Sequence, residues 1–201
     1  MNFLKKYLNF IIKQYIYTLN QFRYIKFGYN SLIKDSIIIT PKFISIGRNV
    51  LVQPHSRIEG ISFYQGDYFN PKIIIDDNCT IQQNIHLTCG SSIYIGKNTA
   101  IAANVTITDI NHQYENISLP IENQPINVNS VYIGDDCKIY NNSVILPGTK
   151  LGKHCVIGAN SVVNGSYQDY CVIVGIPAKI IKRYCFDSNK WKKTDSKGNF
   201  L

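Results

Sequence analysis

Two residues stand at a spacing suited to proton chemistry: His112 and, three positions earlier, Asp109. An imidazole with an ordinary pKa of about 6.5 takes up a proton readily near neutrality, as a hydroxyl nucleophile requires. Asp109 could orient that imidazole as the third member of a relay does, or cap the turn into the segment that follows. Both readings stand at this point. Three further histidines, His55, His86 and His154, raise the question of a metal. The six cysteines form no CxxC pair, so zinc-type spacing is missing. A disulfide framework is not expected in the cytosol.

The elements that must hold these residues are visible as a repeat. An Ile, Leu or Val recurs every sixth residue in five blocks: Ile46, Val52, Ile58; Ile75, Ile81, Leu87; Ile95, Ile101, Ile107; Ile133, Ile139, Ile145; and Leu151, Ile157, Val163. Four residues after most of them stands a small side chain, such as Ser56, Cys79, Thr99, Cys137, Ser143 or Cys155. A period of six fits neither a 3.6-residue helix nor one long alternating strand. It fits a short strand and a tight corner, so that three units close an eighteen-residue triangular coil and stacked coils bury a continuous aliphatic column. The cysteines at small positions then read as packing residues.

Two segments break the repeat, 63–72 and 109–130, and a solenoid accepts insertions only as outward loops. The longer one contains Pro120 and Pro125 and opens at His112. Before the repeats, Leu4, Leu8, Ile11, Ile12, Tyr15, Ile16, Leu19 and Phe22 recur at helical spacing, predicting an amphipathic helix over 3–25 that caps the solenoid or lies on a membrane surface. After Gly175-Ile-Pro-Ala the segment from Ile180 is expected to be helical, with a basic tail anchored by Trp191. The predicted organisation is therefore 1–34 as the N-terminal helical part, 35–178 as an all-β solenoid of about five coils with its loop at 109–130, and 179–201 as a C-terminal tail.

The chain has 201 residues and a net charge of +8, and 45% of its residues are hydrophobic, which excludes disorder as its main state. The charge is segregated. Residues 1–34 carry six bases and no acid, and 179–201 carry seven bases against two acids, while the middle is mildly acidic. Bases confined to the ends argue against nucleic-acid binding and favour anionic small molecules or a membrane face. No stretch reaches a membrane span and no cleavable leader is evident, so a cytoplasmic protein is expected, with peripheral contact at the inner membrane face.

The repeats, the segment Asn104-Val-Thr-Ile-Thr-Asp-Ile-Asn-His112 opening a long loop, and the closing Gly175-Ile-Pro-Ala-Lys179 together resemble the hexapeptide-repeat acyltransferases, in the branch of maltose, galactoside and polysaccharide O-acetyltransferases. The resemblance covers residues 44–184. It implies a left-handed parallel β-helix, a homotrimer with active sites between subunits, and acetyl-CoA as donor. It also implies that His112 deprotonates the acceptor hydroxyl and that Asn84 binds the acceptor; beside them His86 could line the acceptor cleft or simply lie at the surface, and Asp109 is placed in the same acceptor-binding set. The corner at Asn141 and Asn142, the Gly158-Ala159 turn and Asn164-Gly165 would line the donor channel by the same resemblance, and Lys179, Lys182 and Arg183 are placed to pair with phosphates. Asn84 reads equally well as a corner residue. Related enzymes often carry Thr-Lys where Asn164-Gly165 stands and an aromatic where Lys138 stands.

The expectation that follows is an O-acetyltransferase acting on a sugar hydroxyl, in assembly of a capsule, O-antigen or exopolysaccharide. The alternatives are N-acetylation of an amino sugar or antibiotic on the same scaffold, or a non-catalytic scaffold. The γ-class carbonic anhydrases use histidine pairs five residues apart, a spacing no pair here has, so no metal is expected.

Overall fold

The computed structural model describes residues 2–201. Short parallel strands stack into three walls of seven, nine and six strands. The six-residue columns run straight through the registers. In the first wall Ile46 pairs with Ile75, Ile75 with Ile95, Ile95 with Ile133 and Ile133 with Leu151. The second wall aligns Val52, Ile81, Ile101, Ile139 and Ile157, and the third aligns Ile58, Leu87, Ile107, Ile145 and Val163. All fifteen expected core positions are fully buried. At roughly 1.5–3 kcal/mol per buried aliphatic, this column is the main source of stability.

The corners that follow the first and second walls turn through a residue at positive φ, and asparagine fills most of these places because it tolerates the left-handed region better than other non-glycine residues. Their amides form ladders. Asn84 donates to Asn104 at 3.0 Å, Asn104 to Asn142 at 3.1 Å and Asn142 to Asn160 at 3.0 Å. Several of the residues after these corners are small, buried and tie one coil to the next: Thr99 Oγ1 donates to the Gly134 carbonyl at 3.0 Å, and Cys79 Sγ does the same to Gly96 at 3.0 Å. Burial pushes the Cys79 thiol up to about 11. All six cysteines are free and buried, and those at small positions stand in for serine and threonine.

The solenoid is longer than the expected five coils. Lys26–Phe27, Leu32–Ile33 and Ile38–Ile39 form a further turn before it, pairing Phe27 with Ile46, Ile33 with Val52 and Ile39 with Ile58. Ser166–Tyr167 and Cys171–Gly175 form two sides of another turn after it. That makes six complete turns and part of a seventh, and the division at residue 34 falls inside the first turn.

The N-terminal helix runs Asn2–Gln21. It does not use its apolar stripe to cap the core. Ile16 and Tyr17, on one flank, pack against the solenoid, whereas Leu8, Ile11, Ile12, Tyr15, Leu19 and Phe22 face away from it. The open end of the core is plugged instead by Tyr24 and Phe27, whose ring centroids lie 5.0 Å apart. The side chains of Leu4, Lys5 and Lys6 lie outside the described set.

The expected C-terminal helix is not formed. Ala178–Cys185 returns antiparallel along Cys171–Gly175, and Lys190–Lys193 pairs antiparallel with it in turn. Ala178 and Ile180 alternate inward with Lys179 outward, the two-residue period of a strand. The tail is thus the last part of the second wall.

Candidate active site

Both insertions fold over the outer face of the third wall. Residues 63–72 contain a hairpin, Phe63–Tyr64 with Asp67–Tyr68, whose Gln65 and Gly66 both take the positive φ that a tight primed turn requires. In 109–130, Ile110–His112 pairs antiparallel with Ile126–Val128, setting His112 opposite Ile126. Buried Gln124 secures the end of this arm by donating to the carbonyls of Asn116 and Leu119 at 3.0 and 3.2 Å.

Between hairpin and arm lies a cleft of about 400 Å³. Thr88, Thr106 and Thr108 line it beside Arg57, with the Thr88 hydroxyl donating to Thr108 at 3.0 Å. These side chains point outward because Leu87 and Ile107 between them point inward. His86 and His112 meet in this cleft, 26 residues apart in sequence. Burial, then the Arg57 charge, lowers the pKa of His86 and so favours its neutral form.

The His112 ring is exposed and stands edge-on to Tyr64, with centroids 5.3 Å apart. The Tyr64 hydroxyl lies 3.4 Å from His112 Nδ1, 2.9 Å from the Glu122 carbonyl and 3.1 Å from Glu122 Oε2. Gln65 Nε2 donates to the same carbonyl at 2.7 Å. Burial and the Glu122 carboxylate raise the phenol pKa, so Tyr64 remains a hydroxyl. Tyr64 and Glu122 were not legible as site residues, since only the folding of two separate insertions brings them to His112.

Asp109 does not face the imidazole. It is completely buried, and its carboxylate accepts from the Gly90, Ser91 and Ser92 amides at 2.7, 2.8 and 2.8 Å. Its oxygens are committed to that turn, one coil earlier, which removes it from the acceptor-contacting set; Asp109 caps the turn at Gly90, Ser91 and Ser92 and not the turn into the segment that follows it. Asn84 lies in the corner ladder and does not line the cleft. His55 and His154 occupy corners at positive φ, and His154 Nδ1 contacts Asp136 at 2.6 Å. Among the described residues no three His, Cys, Asp or Glu side chains converge as a metal site would need.

Of the residues expected to meet the donor, Asn164 and Lys179 share a second cavity, of about 540 Å³, with Tyr167, Ser196 and Lys197. Gly165 turns at positive φ beside it. Lys197 was not singled out in the sequence; its place follows from the folding back of the tail. Asn141 and Ala159 are exposed at the second corner, where Asn142 belongs to the amide ladder. Gly158 has a packing reason of its own, because a Cβ there would meet Val174 at 2.6 Å. Lys182 is exposed, but Arg183 is not free for a phosphate: its Nη1 donates to the Gly198 carbonyl at 2.9 Å and its guanidinium lies over Phe200.

The bacterial transferase hexapeptide family, described by six repeats, matches residues 130–165. The chain is 32% identical over 189 residues to the lipopolysaccharide biosynthesis O-acetyl transferase WbbJ of Escherichia coli, covering 85% of this chain and 96% of that one. The chain belongs to the hexapeptide-repeat acyltransferases. A second family relative, the dTDP-4-amino-4,6-dideoxy-D-glucose acyltransferase of E. coli, is 33% identical over 162 residues, 69% of this chain and 81% of that one. Among solved structures, a galactoside acetyltransferase in complex with coenzyme A shares the fold at a TM-score of 0.56 and 22% identity, over 92% of this chain and 76% of that one. Hexapeptide-repeat acyltransferases wind left-handed, which gives this solenoid its hand.

Proposed function

We propose that this acyltransferase moves an acetyl group from acetyl-CoA to a sugar hydroxyl during assembly of a surface polysaccharide, with His112 as general base. The observation that carries the reading is the placement of His112 over a threonine-lined cleft closed by two insertions outside the repeat. His112 Nε2 takes the hydroxyl proton as the oxygen attacks the thioester carbonyl carbon. The carbon–sulfur bond then breaks, and the same proton passes to the departing thiolate. Neutral His86 and the threonine hydroxyls offer hydrogen bonds to a polyol. Lys179 and Lys197, beside Asn164, suit the phosphates of coenzyme A. The similarity to WbbJ over most of both chains supports a polysaccharide setting.

The working unit in this reading is a cytoplasmic homotrimer in which a neighbouring subunit completes the open side of each cleft. Among the described residues no helix is long and apolar enough to cross a membrane. The outward apolar stripe of the N-terminal helix, in a segment with six bases and no acid, favours peripheral contact with an anionic membrane face, where a lipid-linked acceptor would lie.

The test is acceptor-dependent thiol release from acetyl-CoA, with wild type beside His112→Ala on a panel of saccharides. Release that needs an acceptor and is lost in the variant supports the reading. No release with any acceptor, together with no binding of coenzyme A by calorimetry, removes it. A second reading, N-acylation of an amino sugar, draws on the second relative. An amine needs weaker base assistance, so that reading expects His112→Ala to spare transfer to amino sugars.

A further inference from the structure

We propose that Tyr64 sets the tautomer of His112 and that Glu122 is the anion behind it, making a relay Glu122–Tyr64–His112 whose three members come from two insertions rather than from the solenoid. The inference rests on His112 acting as base.

The argument begins with one proton. The Tyr64 hydroxyl has a single hydrogen and three acceptors in reach: the Glu122 carbonyl at 2.9 Å, Glu122 Oε2 at 3.1 Å and His112 Nδ1 at 3.4 Å. A phenol gives its hydrogen to the nearer and more negative acceptors, and hydrogen bonds to a carboxylate are the stronger ones. The hydrogen therefore points to Glu122, and the phenol oxygen turns its lone pairs toward His112. Nδ1 can meet that oxygen favourably only as a donor. Since the bond made by one ring nitrogen decides the state of the other, Nδ1 carries the hydrogen and Nε2 is left with a free lone pair. When Nε2 accepts the acceptor's proton, the imidazolium keeps its Nδ1–H on Tyr64 and the Glu122 charge lies beyond it. Asp109, the acid nearest to His112 in the sequence, cannot serve, because three backbone amides occupy its carboxylate.

Tyr64 and Glu122 are positioning residues, and the relay explains why Gln65 also grips the Glu122 carbonyl. The hairpin and the arm are locked to each other at the one point where their contact fixes the base.

The test uses the full chain labelled with 15N-histidine, the His112 resonances being assigned by their loss in His112→Ala. Long-range proton–nitrogen spectra of the neutral imidazole should show Nδ1–H in wild type and a shift toward Nε2–H in Tyr64→Phe, which keeps the ring and loses the oxygen. Glu122→Gln keeps an acceptor for the tyrosine, so it should retain the wild-type tautomer. In turnover, both variants should lose about 10-fold in kcat, part of the 10²–10⁴ of a general base, with KM within about 2-fold. An Nε2–H tautomer in wild type, or an unchanged tautomer in Tyr64→Phe of unaltered thermal midpoint, overturns the relay. Those spectra need no acceptor, so a failure of the relay is distinct from a failure of the acetylation reading, which His112→Ala decides by thiol release.

Discussion

Asp109 and His112 stand three residues apart as the chain leaves the solenoid, yet the carboxylate is sealed inside, on the amides of Gly90, Ser91 and Ser92, while the imidazole looks into the cleft. Proximity along the chain placed them in one functional group, and the fold separates their tasks. Asp109 holds the corner at Gly90, Ser91 and Ser92 in the preceding coil, and His112 is carried by the arm.

Replacing Asp109 with Ala should therefore act on stability first. Three amides lose a charged acceptor in a buried turn, and each unsatisfied group costs about 1–3 kcal/mol. A loss of about 3 kcal/mol or more in urea unfolding is expected, and roughly half that for Asp109→Asn, which keeps one acceptor oxygen. A full loss of turnover with an unchanged unfolding midpoint would contradict this division of labour.

His112→Ala should lower kcat/KM for the sugar acceptor by about 10²–10⁴, with no change in the unfolding midpoint, because the ring is exposed. Steady-state kinetics and a thermal melt on the same preparation check both halves.

Cys79 should behave as a hydroxyl would. Thr99 makes the same coil-to-coil bond one turn later, so Cys79→Ser should cost under about 1 kcal/mol, whereas Cys79→Val, which cannot donate to Gly96, should cost about 1–3 kcal/mol. The folded thiol titrates at about 11 against 9.0 for a free thiol. Between those values the unfolded chain binds fewer protons, so stability falls as pH rises above about 9, by up to about 2–3 kcal/mol at pH 11. Urea midpoints across pH 8–11, wild type against Cys79→Ser, isolate this contribution.

Lys179 and Arg183 should separate binding from structure. Lys179→Ala is expected to raise KM for acetyl-CoA by about 3–10-fold at low salt, the scale of one charged contact to phosphate, and to leave the melt unchanged. Arg183→Ala should lower the melt and leave that KM within about 2-fold, since its guanidinium already holds the Gly198 carbonyl.

On the proposed membrane contact, sedimentation with vesicles rich in anionic lipid should pellet the wild type and leave a Leu8→Asp, Tyr15→Asp, Leu19→Asp variant in solution. The same stripe could instead bury itself against a second copy; equal sedimentation of both proteins, with a smaller oligomer for the variant, would turn the interpretation that way.

The fifteen aliphatic positions were readable because a strict six-residue period has one structural meaning, and each of them is fully buried. The turns at either end escaped because the steps into and out of the repeat are irregular: Ile39 to Ile46 spans seven residues and Val163 to Tyr167 spans four. The tail read as a helix because Ile180 and Ile181 are adjacent, and only pairing with Cys171–Gly175 decides which of them turns inward. His112 was legible because it sits where the repeat stops. Tyr64 and Glu122 were not, since their meeting depends on a hairpin and an arm separated by two turns of the coil. The N-terminal helix was legible from its apolar spacing, but periodicity says that a helix has an apolar side and nothing about which way that side points.

The strand Ala178–Cys185 also settles how the solenoid stops. Parallel coils can in principle add to one another without limit, since each exposed edge is a template for the next. Here the second wall ends in an antiparallel meander: Ala178–Cys185 runs against the coils, and the outermost strand, Lys190–Lys193, turns back to their direction and presents three lysines and a tryptophan. A second copy docking its N-terminal turn there would face like charge, since residues 1–34 carry six bases and no acid. Lysines on an edge strand thus guard the second wall against growth into head-to-tail filaments.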